Sequence, residues 1–292
     1  MKTAVVLMAY GSPDRLADVP AYYADIRGGR PIRPELLDDL MDRYRRLGIE
    51  DSNPLNEITE RTRAALEREL GLSVFTGMKH WTPRIVEAAD HAVESGAETV
   101  AGLVLAPHYS RLSIGGYRQQ LEGALAGRAR LRFIESWHDE PAFVEFVAAR
   151  VRGTDAHVVF TAHSLPARIL DEGDPYETQL LETSRAVAQA AGLHDWSFSY
   201  QSESPTGERW LQPDILDHLG ALRDRGVRDV LACPVGFVAD HLEIRWDLDT
   251  EASARARELG LGFARIEMPN DDPAFVTCLA GIVRSALVPS KT

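Results

Sequence analysis

The sequence predicts an α/β fold in which parallel sheets carry helices on both faces, arranged as two similar lobes. Three observations predict it. Apolar strand-like runs alternate with amphipathic helical patterns along the chain. The runs are near-continuous in aliphatic residues, as strands covered on both faces require. Two of them end alike: ETVAGLVLAPHYS closes on His108 followed by a hydroxyl-bearing residue, and HVVFTAHSLP closes on His163 and Ser164.

The elements follow in order. TAVVLMA is the first strand; with one Lys and a short apolar run before it, the start lacks the h-region of a signal peptide. PELLDDLMDRYRRL and LNEITERTRAALEREL repeat their apolar residues at helical spacing, and SVFTGMK returns to a strand. TPRIVEAADHAVES is a helix between SVFTGMK and the strand ETVAGLVLA, and LRFIES is the next strand. A lobe boundary falls near DEPAFVEFVAARVRGTDAH, which divides the chain into residues 1–145 and 146–270. The second lobe reads HVVFTA, the helix YETQLLETSRAVAQAAG, then the strands SFSYQ and RDVLACPVGF. DHLEIRWDLDTEASARARELG follows as a helix, and residues 271–292 supply a terminal helix that packs back on the lobes.

Composition narrows the function. The chain has 292 residues, a net charge of -12 and 45% hydrophobic residues, values that fit a soluble globular protein and disfavour nucleic-acid or anionic-membrane partners. Two cysteines, Cys233 and Cys278, stand far apart in apolar contexts. They exclude a disulfide framework and a four-cysteine iron–sulfur cluster within one chain. No apolar run approaches the ~20 residues that span a bilayer. A reducing, cytoplasmic location and a monomer are expected.

The chemistry gathers at strand ends. Tyr10, His108, His163 and Gln201 all follow strand-like runs, and doubly wound folds converge such ends on one crevice. Glu243, Asp247 and Glu251 repeat every fourth residue, so a helix stacks them on one face. Hard carboxylate oxygens in a row suit a divalent cation. On pattern alone, His163 reads first as a hydrogen-bonded strand-end histidine. The acids read equally as a solvated helix face, with Arg255 four residues after Glu251 as an ion-pair partner. Arg27, Arg30, Arg33, Arg43, Arg45 and Arg46 cluster in an otherwise acidic chain. Guanidinium groups bind carboxylates bidentately, so a multi-carboxylate ligand is one explanation and a charged helix surface the other. Tyr44 beside Arg43 offers an aromatic surface to a flat ligand. Walker-type, GxGxxG, HExxH and GxSxG motifs are all missing.

MAYGSP, YYADIRGGR, LAPHYS, TAHSLP, GDPY, QSE, CPVGFVADHLE and EMPN together resemble the ferrochelatase family, in its order and over nearly the full chain. The resemblance implies two Rossmann-like lobes, chelatase-like, with a tetrapyrrole cleft between them, and insertion of ferrous iron into a porphyrin in haem biosynthesis. It implies His163 and Glu243 as the catalytic metal-site pair, extended by Asp247 and Glu251 into an acidic path, with Tyr10 facing the other side of the ring. The chain is most similar to the soluble Gram-positive-type enzymes that convert coproporphyrin III to coproheme. There Arg27, Arg43, Tyr44, Ser52 and Tyr117 match porphyrin-contacting positions. Gly28 stands where that subgroup carries a second adjacent Arg, and the loop GIEDSNPL around Ser52 is longer than theirs. The resemblance further implies Fe2+ as substrate, no permanently bound cofactor, Mg2+ as an ion for the outer carboxylates, and transient contact with other haem-pathway enzymes. His163 is either metal ligand or acceptor of a pyrrole proton. Rival readings are a protoporphyrin IX enzyme and a non-catalytic tetrapyrrole carrier.

Overall fold

The computed structural model describes residues 2–50, 53–204 and 207–288. Among them, eight strands form two four-stranded sheets, all parallel. The first sheet holds β1 (Thr3–Ala9), β2 (Ser73–Met78), β3 (Thr99–Val104) and β4 (Arg130–Phe133); the second holds β5 (His157–His163), β6 (Trp196–Gln201), β7 (Asp229–Cys233) and β8 (Gly262–Arg265). Their orders are β2-β1-β3-β4 and β6-β5-β7-β8, so the two lobes share one topology. The alternation of strand and helix predicts this architecture, and parallel strands need the crossover helices that it supplies.

β8 has no counterpart among the expected strands. It is a four-residue edge strand, GFAR, with alternating partial exposure, so it lacks the aliphatic run that marks its neighbours. Of LRFIES, by contrast, only Leu131 to Phe133 pair, as part of β4.

β1, β3 and β5 are buried along almost their whole length. One apolar cluster joins the two sheets: Val5 and Leu7 of β1 share it with Val158 and Phe160 of β5. The helix Pro141–Val151 contributes Phe143 and Val147 to that cluster, and the boundary expected after residue 145 lies inside this helix. The terminal helix Pro273–Leu287 buries Phe275, Leu279 and Val283 there and packs against helices Pro54–Leu70 and Pro141–Val151. Each such side chain stabilises the fold by about 1.5–3 kcal/mol. No helix among the described residues is long and apolar enough to cross a membrane.

Two features set the site. Both sheets run parallel, so Tyr10 and His163 leave β1 and β5 at their C-terminal ends. After β7 the chain turns back over β5 at Gly236, whose N–H donates to the Thr161 carbonyl at 3.2 Å. A Cβ at Gly236 would lie 2.5 Å from the Ala162 Cβ, so only glycine permits this crossing. The crossing carries Glu243 to the end of β5.

Candidate metal-binding site

His163 and Glu243 face each other, with Nε2 3.7 Å from Oε1. The His163 side chain is 30% exposed and that of Glu243 37%, so both reach solvent. The imidazole is held from behind: its Nδ1–H donates to the Ser164 carbonyl, which turns Nε2 toward Glu243. The Tyr176 hydroxyl donates to the His163 carbonyl at 3.0 Å. Gln201, buried at the end of β6, accepts from Thr161 at 3.0 Å and donates to the Glu243 carbonyl at 3.3 Å. It ties the acid-bearing segment to the sheet.

Burial pushes the Glu243 carboxyl up, but His163, His241 and Arg43 outweigh it and hold the group down at about 2. His241 lies on the other oxygen, Nε2 to Oε2 3.4 Å, with its Nδ1 donating to the Ala239 carbonyl. Burial lowers the His241 pKa, and the Glu243 carboxylate more than reverses this. Glu243 is thus an ionised oxygen donor between two imidazoles.

The helix that follows is wound as π over Ile244–Ala252, with the Ser253 N–H bonded to the Leu248 carbonyl five residues back. A π segment of this length is unusual, and π turns concentrate at functional sites. Asp247, on this segment, is buried. Burial and the charge of Glu243 push it up to about 7, against a hydrogen bond from Ser202. Ser202 is a non-glycine residue at φ 65°, a conformation that costs energy and is retained where surroundings enforce it. Glu251 lies within electrostatic reach of Asp247 and Asp214. Arg255, expected to pair with Glu251, pairs instead with Glu258 at 3.3 Å, because three residues of α-helix separate that pair. Among the described residues no three His, Cys, Asp or Glu side chains converge on one ion position. The acids therefore form no cage around one ion position, and few protein ligands suit an ion that keeps part of its water shell, as Mg2+ does.

Tyr10 is 42% exposed and feels the charges of Glu243 and Asp25. Arg43 pairs with Asp39 at 2.9 Å and lies over the Trp246 ring at 5.3 Å, with Arg46 on the same ring at 5.9 Å. Arg27 lies 6.0 Å from the Tyr23 ring centroid, and its Nε is buried without a partner. Tyr44 is 1% exposed, and its hydroxyl lies 3.0 Å from Ser12 Oγ. Packing against Val19 and Ile49 claims the ring. Tyr117 is 5% exposed, with the Lys79 ammonium 5.0 Å from its ring centroid. Ser52 lies outside the described residues. A groove of about 500 Å³ lined by Arg61, Arg68 and Asp271 shares no residue with this site.

Sequence reasoning missed His241, Trp246 and His80. The first two lie within three residues of Glu243, so the quoted acidic segment contained them. His80 follows β2 by two residues, and the strand-end rule applied to every strand would have found it.

The ferrochelatase family model matches residues 2–287. The ferrochelatase of Herpetosiphon aurantiacus is 42% identical over 97% of this chain and 98% of its own. The coproporphyrin III ferrochelatase of Halalkalibacterium halodurans is 39% identical over 98% of this chain and 97% of its own. Among solved structures, SirB from Bacillus subtilis covers 100% of this chain and 98% of its own with a TM-score of 0.65 at 10% identity, a likeness of fold alone.

Proposed function

This chain belongs to the ferrochelatase family, enzymes that insert ferrous iron into a porphyrin in haem biosynthesis, and we propose that its porphyrin is coproporphyrin III. The His163–Glu243 pair, 3.7 Å apart, carries the metal-handling half of this reading. A ferrous ion resists losing its water shell, and an imidazole and a carboxylate can replace those waters stepwise. Glu251 and Asp247 pass the hydrated ion inward, and Glu243 with the Nε2 of His163 holds it over the ring. Tyr10 meets the other ring face, and the porphyrin lies in the cleft between lobes of residues 1–145 and 146–270.

The substrate half rests on arginine. Arg27, Arg30, Arg33 and Arg45 have no carboxylate within ion-pair distance among the described residues, although the chain carries a net charge of -12. Guanidinium groups without ion-pair partners suit a porphyrin with four propionates better than one with two, since each added carboxylate needs a partner. Relatives bearing the coproporphyrin III name reach 39% identity. The test is anaerobic turnover with Fe(II) on coproporphyrin III and on protoporphyrin IX. The expected kcat/KM ratio is at least about tenfold for the first, or roughly 1.4 kcal/mol. A ratio of one or below replaces the substrate by protoporphyrin IX. A bound spectrum without turnover on either makes the chain a carrier.

A further inference from the structure

Tyr10's wall carries an imidazole that the metal pair leaves unused. His80 and Lys79 follow β2 and donate their backbone N–H groups to the carbonyls of Tyr10 and Ala9, at 3.0 and 2.9 Å. This closes the end of β2 against the end of β1. Gly11, at φ 84°, permits the closure: a Cβ there would lie 2.7 Å from the Trp81 Cβ. The His80 and Tyr10 rings then pack with centroids 4.6 Å apart.

His80 Nδ1 is 2.9 Å from Asp25 Oδ2, and the other Asp25 oxygen accepts from Arg84 at 3.0 Å. Burial raises the Asp25 pKa, but Arg84 and His80 lower it further, so the carboxylate is ionised. An ionised carboxylate only accepts, so Nδ1 carries the proton and Nε2 the lone pair. No hydrogen-bond partner meets Nε2 among the described residues. The side chain is 16% exposed, which leaves it a path to water.

Metallation must remove two pyrrole protons. An imidazole that holds the ion through Nε2 cannot take a proton at the same atom, so His163 cannot do both at once. We propose that His80 is the base that takes the pyrrole protons on the Tyr10 side of the macrocycle, with Asp25 as the residue that positions it. The inference rests on the ferrochelatase reading. In the step, a pyrrole N–H bond breaks, its electron pair stays on the ring nitrogen that takes the ferrous ion, and the proton moves to Nε2. From there it passes to water, and the second proton follows by the same route. Two protons leave as one Fe2+ enters, so charge balances. The charged groups facing His80 are Asp25 from the helix Val19–Ile26, and Lys79 and Arg84 from its own loop; Tyr10 is the titratable neighbour. Burial, Lys79 and Arg84 lower its pKa against the pull of Asp25, so the ring is neutral and competent near pH 7.

The experiment uses the full chain, Fe(II) and coproporphyrin III under anaerobic conditions. His80→Gln should lower kcat by about 10²–10³-fold while the porphyrin Kd, read by fluorescence, stays within about threefold. Imidazole in solution should return part of the rate to His80→Ala. Asp25→Asn removes the charge that raises the His80 pKa, so the acid limb of the kcat–pH profile should move to lower pH. A His80→Gln enzyme within about threefold of a working wild type overturns the inference. So does a loss that tracks porphyrin affinity and that imidazole leaves unchanged. A wild type that metallates no porphyrin removes the underlying reading instead.

Discussion

His108 and His163 look alike in the sequence and have opposite fates in the structure. Each follows a central or near-central strand, β3 or β5, of topologically matching sheets. His108 is 2% exposed, with Nε2 2.9 Å from the Thr183 hydroxyl. That hydroxyl donates to the His138 carbonyl, so His108 must be the donor to it, and its Nδ1 is left buried without a partner. Burial, helped by His138, drives its pKa well below the ordinary value. It is a neutral core residue. His163 keeps solvent access and a carboxylate 3.7 Å away. The two positions are not equivalent, since β5 matches β1 and β3 matches β7, but both lie at the C-terminal end of an interior strand. What differs is the segment that meets the strand end: the acid-bearing π segment for His163, and the helix Tyr176–Ala191 with Thr183 for His108.

The comparison breaks most directly through activity. His163→Ala should cut iron insertion by about 10²–10⁴-fold with porphyrin still bound, whereas His108→Ala should leave kcat within about threefold. Equal losses in anaerobic turnover would erase the distinction. Stability should show the reverse order. His108→Ala removes a buried hydrogen bond and opens a cavity, at a cost of about 2–3 kcal/mol by urea denaturation; His163→Ala, partly exposed, should cost under about 1 kcal/mol. The smallest effect sharpens the role of the acids beside His163. Asp247 titrates near pH 7, protonated below and ionised above. A divalent ion must displace that proton, so Mg2+ affinity should be about tenfold weaker at pH 6 than at pH 8 by calorimetric titration, and Asp247→Asn should flatten this dependence.

Most of the scaffold was readable because β1, β3 and β5 are buried on both faces and must therefore be aliphatic throughout. β8 was not, since an exposed edge places no such demand on four residues. The row Glu243, Asp247 and Glu251 was visible from its spacing, but its π winding was not: a four-residue period fits either helix. The burial of Tyr44 was not legible, because adjacency to Arg43 says nothing about which face of the helix Pro34–Arg46 packs inward. The arginines that meet Trp246 pair across the lobes, and no local pattern records a contact two hundred residues away.

The loose winding of Ile244–Ala252 has a cost of its own. Helices seldom keep such a turn, and losing one residue between Arg245 and Thr250 would let the segment snap to ordinary pitch. The rod would become sturdier and Glu251 would turn to a different side of the helix relative to Glu243. Robustness and the ion path proposed for these acids therefore pull on this stretch in opposite directions, and it is here that the protein has least room for a change in length.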